Sequence, residues 1–233
     1  MDQIAVVTGA GSGVGRAIAQ RLASEGWTVA LLGRRARALA ETAAANPSCM
    51  TAFECDVADQ ASVDGAFSAV RKQFGFISVL VNSAGINTPR RSWEQLFTAD
   101  YLAVVNTNLN GVFFCVAAVL PEMRANKQGT IVNIGSDAGL AASPKAGAAY
   151  VASKFGVTGL TQSINAEERA NGIRACAIFP GDIDTPILEN RPVPPTADAR
   201  KKMLRPSDVA ECAWLAIRLG DHAIIEQLVI RPR

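Results

Sequence analysis

Seven short runs of β-branched and aliphatic residues, at 4–7, 28–32, 51–55, 78–81, 130–134, 174–179 and 227–230, recur along the chain with longer helical patterns between them. Several of the runs are almost continuously apolar, as strands buried on both faces are. Parallel neighbours need long crossover connections, and intervening stretches of roughly 12–25 helix-compatible residues are long enough to supply them. The pattern therefore predicts an α/β fold of three layers, with a doubly wound, seven-stranded parallel sheet covered by helices on both sides. Helical periodicity is clearest at 14–25, 60–74, 101–123, 149–170 and 207–219. Pro206 followed by Ser207 and Asp208 makes a good start for the last of these.

The chain has 233 residues, 49% of them hydrophobic, enough to bury one large core, and a single domain over 1–233 is expected. Residues 186–206 hold five prolines and mixed charge, so they are expected to form an irregular excursion, either a mobile lid or a static loop.

Composition excludes several classes of function. The formal net charge is +2 and no long basic block exists to neutralise a phosphate backbone, so no nucleic-acid partner is expected. The short clusters Arg34-Arg35-x-Arg37, Arg90-Arg91 and Arg200-Lys201-Lys202 read as solvated surface, with the first open to a second reading below. Five cysteines without a C-x-x-C spacing suit neither a disulfide framework nor a zinc site; no metal is expected, and reduced cytoplasmic thiols fit best. The start of the chain lacks the pattern of a signal peptide. Residues 101–120 carry no charge, but Asn106, Thr107, Asn108 and Asn110 are costly in lipid, so this stretch is expected to be a buried helix rather than a membrane span. The single histidine, His222, and the absence of G-x-S-x-G argue against a serine hydrolase.

Directly after the first strand comes Thr8-Gly9-Ala10-Gly11-Ser12-Gly13-Val14-Gly15, opening a helix. Glycines let a phosphate approach the backbone closely, and the N–H groups of a helix start attract anions. The strand before and the helix after make this a dinucleotide-binding turn rather than a plain one. About twenty residues further on, where an Asp or Glu commonly holds the ribose 2′-hydroxyl of NAD, the chain has Gly33-Arg34-Arg35. An arginine there bonds a 2′-phosphate, so NADP(H) is favoured over NAD(H); alternatively, Arg34 and Arg35 only solvate the start of the next helix.

Tyr150 and Lys154 lie four residues apart in a helical pattern and so share one face. A lysine charge ~4 Å away at an effective dielectric of ~20 contributes about 4 kcal/mol, or roughly three pKa units, which would bring the tyrosine within reach of acid/base work near neutral pH. The spacing alone also occurs by chance in surface pairs.

Taken with the other motifs, the chain resembles the short-chain dehydrogenase/reductase family over nearly its whole length. The family's T-G-x-x-x-G-x-G is met by Thr8, Gly9, Gly13 and Gly15, and its acidic residue after the third strand by Asp56, followed by Val57. Its N-N-A-G appears as Asn82-Ser83-Ala84-Gly85, with Ser in place of the second Asn. Its helical asparagine matches Asn108, its serine after the fifth strand Ser136, and Tyr150 and Lys154 complete a tetrad. Pro180, Gly181, Ile183 and Thr185 resemble the segment that borders the nicotinamide.

The resemblance implies a Rossmann-like fold and an NAD(P)(H)-dependent oxidoreductase acting on a carbonyl or alcohol. Tyr150 would move the proton and Ser136 would bond the substrate oxygen. Lys154 would bond the nicotinamide ribose and lower the Tyr150 pKa, while Asn108 would anchor a water linking Lys154 to solvent. It also implies a homotetramer or homodimer, for which the apolar stretches at 101–120 and 149–170 offer surface. The C-terminal residues 226–233 lack the glycine-rich segment of many relatives. A rival expectation is a catalytically idle NADP-binding sensor or regulatory subunit, which would not need the intact tetrad. No charge pattern selects a substrate.

Overall fold

The computed structural model describes residues 3–233. Seven strands form one parallel sheet: β1 (Ile4–Thr8), β2 (Thr28–Gly33), β3 (Met50–Glu54), β4 (Val79–Asn82), β5 (Gly129–Ile134), β6 (Ile173–Pro180) and β7 (Gln227–Ile230), in the order β3-β2-β1-β4-β5-β6-β7. Each expected strand is found, with its ends shifted by a residue or two. Successive side chains alternate between the faces, so Ala5 and Val7 enter one core while Val6 enters the other. On the first face lie α1 (Gly13–Ser24), α2 (Ala36–Ala43) and α8 (Pro206–Arg218), which contribute Ile18, Leu22, Leu39, Val209 and Ala213. On the second lie α3 (Gln60–Phe74), α5 (Gly111–Asn126) and α6 (Ala148–Glu168), which contribute Phe67, Cys115, Met123, Val157 and Ile164.

The helix expected over 101–123 departs from its expectation in two ways. It runs as α4 (Thr98–Val105), a π-helical turn at Asn106–Asn110, and α5. It is also not wholly buried, because only one side meets neighbouring elements, and Tyr101, Leu102 and Phe113 are exposed. The stretch Thr98–Asn126 is long and apolar enough to cross a membrane, yet it packs against α3, α6, β4 and β5. The excursion is more ordered than its prolines suggest. It contains a 3₁₀ turn at Pro186–Asn190 and the short helix α7 (Ala197–Arg200), and a parallel bridge between Ile183 and Leu204 closes its base.

The order of strands reverses between β1 and β4. In sheets of this kind the connections leave on opposite sides there and open a crevice at the carboxyl ends of the strands.

Candidate active site

A cavity of about 760 Å³ occupies that crevice. Its floor at one end is the turn between β1 and α1. Gly9 has φ of +66°, and a Cβ on it would come within 2.8 Å of the Ala84 Cα; a Cβ on Gly15 would come within 2.5 Å of the Gly9 carbonyl oxygen. Only glycine lets β1, α1 and the turn after β4 pack this closely. Ser12 precedes α1 without a side-chain capping bond, and the first turn carries no acidic residue. The first N–H groups of the helix therefore lack a side-chain partner and sit where Gly11, Ser12, Gly13 and Val14 line the cavity.

Arg34 is exposed at the rim, and Arg35 donates to the Ser12 hydroxyl at 3.2 Å. No carboxylate follows β2, which ends at Gly33. Asp56 and Val57 line the adjacent wall. Asp56 accepts from the Ala58 N–H at 3.0 Å, and Val57 packs where a Cβ on Gly111 would be only 2.9 Å away. Ala84, Gly85, Pro180, Gly181, Ile183 and Thr185 line the facing side, Thr185 lying 3.2 Å from where a Cβ on Gly13 would stand.

Three of the expected site residues lie behind the wall. Thr8 is buried, and its hydroxyl accepts from the N–H groups of Ser83 and Ala84, both at 3.1 Å, which joins the ends of β1 and β4. Asn82 donates to Asn133 at 2.9 Å. Asn108, 1% exposed, accepts from the Ile86 N–H at 2.8 Å and donates to the Ile86 carbonyl at 2.9 Å and the Ser153 hydroxyl at 3.2 Å. The wide π turn around Asn108 is what aims its amide at the loop after β4. Both amide donors are thus occupied within the protein.

Tyr150 and Lys154 stand on the first turns of α6 and line the cavity beside Ser136, which follows β5. Here the structure corrects the electrostatic expectation. The Lys154 Nζ lies 5.5 Å from the Tyr150 ring centroid and donates to the Ile134 carbonyl at 2.7 Å. Burial dominates both groups, pushing Tyr150 up to about 12 and Lys154 down to about 8. The Ser136 hydroxyl and the charges of Arg91 and Arg191 draw the phenol part of the way back, while Asp137 opposes them. Tyr150 is consequently a neutral phenol, able to donate a proton, at pH 7. The Ser136 hydroxyl donates to the Asp137 carboxylate at 3.0 Å and accepts from the Ala138 N–H at 3.2 Å.

As a basic cluster, Arg91 is grouped with Arg90 as solvated surface, and the structure separates the two. Arg90 is exposed and pairs with Asp100 at 2.8 Å. Arg91 is only 7% exposed, lines the cavity, and donates to the carbonyls of Thr88 at 2.8 Å, Lys145 at 3.1 Å and Asn190 at 2.6 Å. It joins three loops that the chain brings together from far apart. No local signal distinguishes it from its neighbour.

A doubly wound parallel sheet, a glycine turn at its switch point and a Tyr/Lys/Ser cluster at the far end of one cavity define a dehydrogenase-type α/β oxidoreductase. Comparison with known proteins makes this specific: residues 3–194 match the model of the short chain dehydrogenase family, and the chain belongs to that family of oxidoreductases. An uncharacterized oxidoreductase of Staphylococcus saprophyticus is 34% identical over 99% of this chain and 97% of its own length. A 3beta-hydroxysteroid dehydrogenase of Mediterraneibacter gnavus is 38% identical over 87% of this chain and 72% of its own. Among solved structures, the closed form of serine dehydrogenase complexed with NADP+ superposes with a TM-score of 0.91 at 27% identity, covering 98% of this chain and 94% of that one.

Proposed function

We propose that this enzyme interconverts a carbonyl and a secondary alcohol with a nicotinamide dinucleotide as partner, and that Tyr150 carries the proton. The observation behind this reading is the convergence of Tyr150, Lys154 and Ser136 on one end of a cavity whose other end is the glycine turn. The turn suits a dinucleotide: Gly9, Gly11, Gly13 and Gly15 line the cavity without side chains, and the uncapped start of α1 offers N–H donors to a pyrophosphate. Arg34 and Arg35, with Gly33 in place of a carboxylate, favour a 2′-phosphate and hence NADP(H) over NAD(H).

When bound, the nicotinamide supplies the hydride to the carbonyl carbon or takes it from the alcohol. Tyr150 gives its phenolic proton to the carbonyl oxygen and takes it back in the reverse direction. Ser136 turns its hydroxyl from Asp137 toward the same oxygen, so two donors meet the charge that develops there. Lys154, held at the Ile134 carbonyl, brings a positive charge alongside Tyr150 and would bond the cofactor's ribose. Asn108 is a positioning residue that fixes the Ile86 backbone and, through Ser153, the start of α6.

The partner is a small molecule. Exposed Tyr101, Leu102, Phe113 and Phe155 favour assembly into a homodimer or homotetramer, and five free cysteines suit the cytoplasm. The test is Tyr150→Phe. It should lower kcat by about 10²–10⁴-fold while the calorimetric affinity for NADPH stays within about twofold; turnover retained at the native rate would overturn the assignment.

A further inference from the structure

Arg91 poses a problem that its hydrogen bonds do not solve. It spends three of its five N–H donors on carbonyl oxygens. Those bonds use its donors but leave its charge without a counterion. What a guanidinium adds is charge, and an uncompensated buried charge is costly. Among the described residues, no carboxylate pairs with it.

Arg191 lies close enough that the two guanidinium groups repel: burial and then the Arg191 charge hold Arg91 below its ordinary value. The carboxylate nearest this pair, Asp182, is already shared between Arg191 at 2.6 Å and Lys145. Asp137, the other carboxylate at this end of the cavity, accepts from Ser136 and is itself exposed. Arg91, Arg191, Lys145 and Lys154 thus put four cations against two carboxylates, both already engaged. Both arginines also act on the Tyr150 phenol, so the excess positive charge lies near the reacting centre rather than at the glycine turn.

We infer that the substrate carries an oxyanion, such as a carboxylate, at the end remote from its reacting carbon, and that Arg91 and Arg191 receive it. The inference rests on the carbonyl/alcohol reading of the same cavity. Two guanidinium groups suit an oxyanion because each can offer paired N–H donors, and the anion supplies the charge that Arg91 lacks. The Asn190 carbonyl, bonded to Arg91, ties the excursion to this seat, so the segment carrying Arg191 is held over the cavity.

The test separates binding from turnover. The protein with saturating NADP+ is titrated calorimetrically with 4-oxopentanoate and 5-oxohexanoate and with their methyl esters, while NADPH oxidation is followed for the same four compounds. At least one acid should bind about 10–100-fold more tightly than its ester, as expected of a charge-assisted pair. Arg191→Gln should remove most of that margin with NADP+ affinity unaltered, and Arg91→Lys, which keeps charge but not the fork, should reduce it. Esters binding as well as acids, no acid binding at all, or a margin that neither variant moves would overturn the inference. Tight acid binding without reduction of any compound would keep the anion seat and remove the hydride-transfer reading. Reduction of esters and acids alike would do the opposite.

Discussion

The two ends of the cavity are built differently. At the glycine turn every important group lies within a few residues of a strand end: Thr8 closes β1, Gly33 closes β2 and Asn82 closes β4. Once the strands pair in their order, these groups fall into place, because parallel register fixes which ends are neighbours. At the other end Tyr150 and Lys154 stand on α6, but Arg91 and Arg191 sit on loops, and their positions depend on which loops meet. Arg91 reaches partners 54 and 99 residues away along the chain. A site mounted on strand ends is specified by pattern; a site mounted on loops is specified by contacts that no pattern announces.

This contrast also sorts what the sequence made legible. Seven strands follow from apolar runs, and the dinucleotide turn follows from glycines in a strand-to-helix context, since local physics alone makes both. Tyr150 and Lys154 share a face because helical spacing demands it. The sign of the net shift on Tyr150 was not legible: it depends on how deeply α6 packs, and burial outweighs the nearby charges. The π turn was equally hidden, although Asn106, Asn108 and Asn110 in one apolar helix hint at it, an unusual run of polar groups that needs partners.

The strongest way to break the comparison is Arg91→Ala. If loop contacts specify the Tyr150 end, removing the hub leaves three carbonyls unpaired, and stability should fall by about 3 kcal/mol or more in urea unfolding. A loss under about 1 kcal/mol would mean that the loops hold one another without it.

Lys154 lies on the seam between the two ends, and its burial makes a prediction with a definite sign. Its pKa in the folded protein is about 8, against 10.5 for the free side chain, so between these values the unfolded chain binds more protons than the folded one. Stability should therefore rise with pH from about 8 to about 10.5, by at most about 3 kcal/mol at 1.36 kcal/mol per unit. Tyr150 works in the opposite sense above pH 10, because its proton is held more tightly in the folded state. Lys154→Met should abolish the rise between pH 8 and 10 in denaturant titrations. A wild-type curve that falls over this window would contradict the burial of an ammonium here.

Arg34→Ala probes the glycine-turn end. The side chain is exposed and joins no ion pair among the described residues, so the fold should be untouched. NADPH affinity should fall about 10–100-fold and NADH affinity hardly at all. Equal loss for both cofactors would leave Arg34 without a phosphate to recognise.

The smallest effect is expected one residue before the largest. Arg90 donates twice to the Asp100 carboxylate, at 3.1 and 2.8 Å, and lies 5.0 Å over the Phe97 ring. Its side chain is 56% exposed, so solvent screens the pair and the stacking alike. Arg90→Ala should cost no more than about 1 kcal/mol, although it removes more direct charge pairing than Arg91→Ala does. The two substitutions differ in what remains afterwards. Without Arg90, Asp100 and Phe97 turn to water; without Arg91, carbonyl groups from three loops are stranded inside the protein. A larger cost at Arg90 that grows with protein concentration would place Phe97 and α4 in a subunit contact, where desolvation strengthens the pair, and the α4 surface would then join the loops as structure that contacts rather than pattern specify.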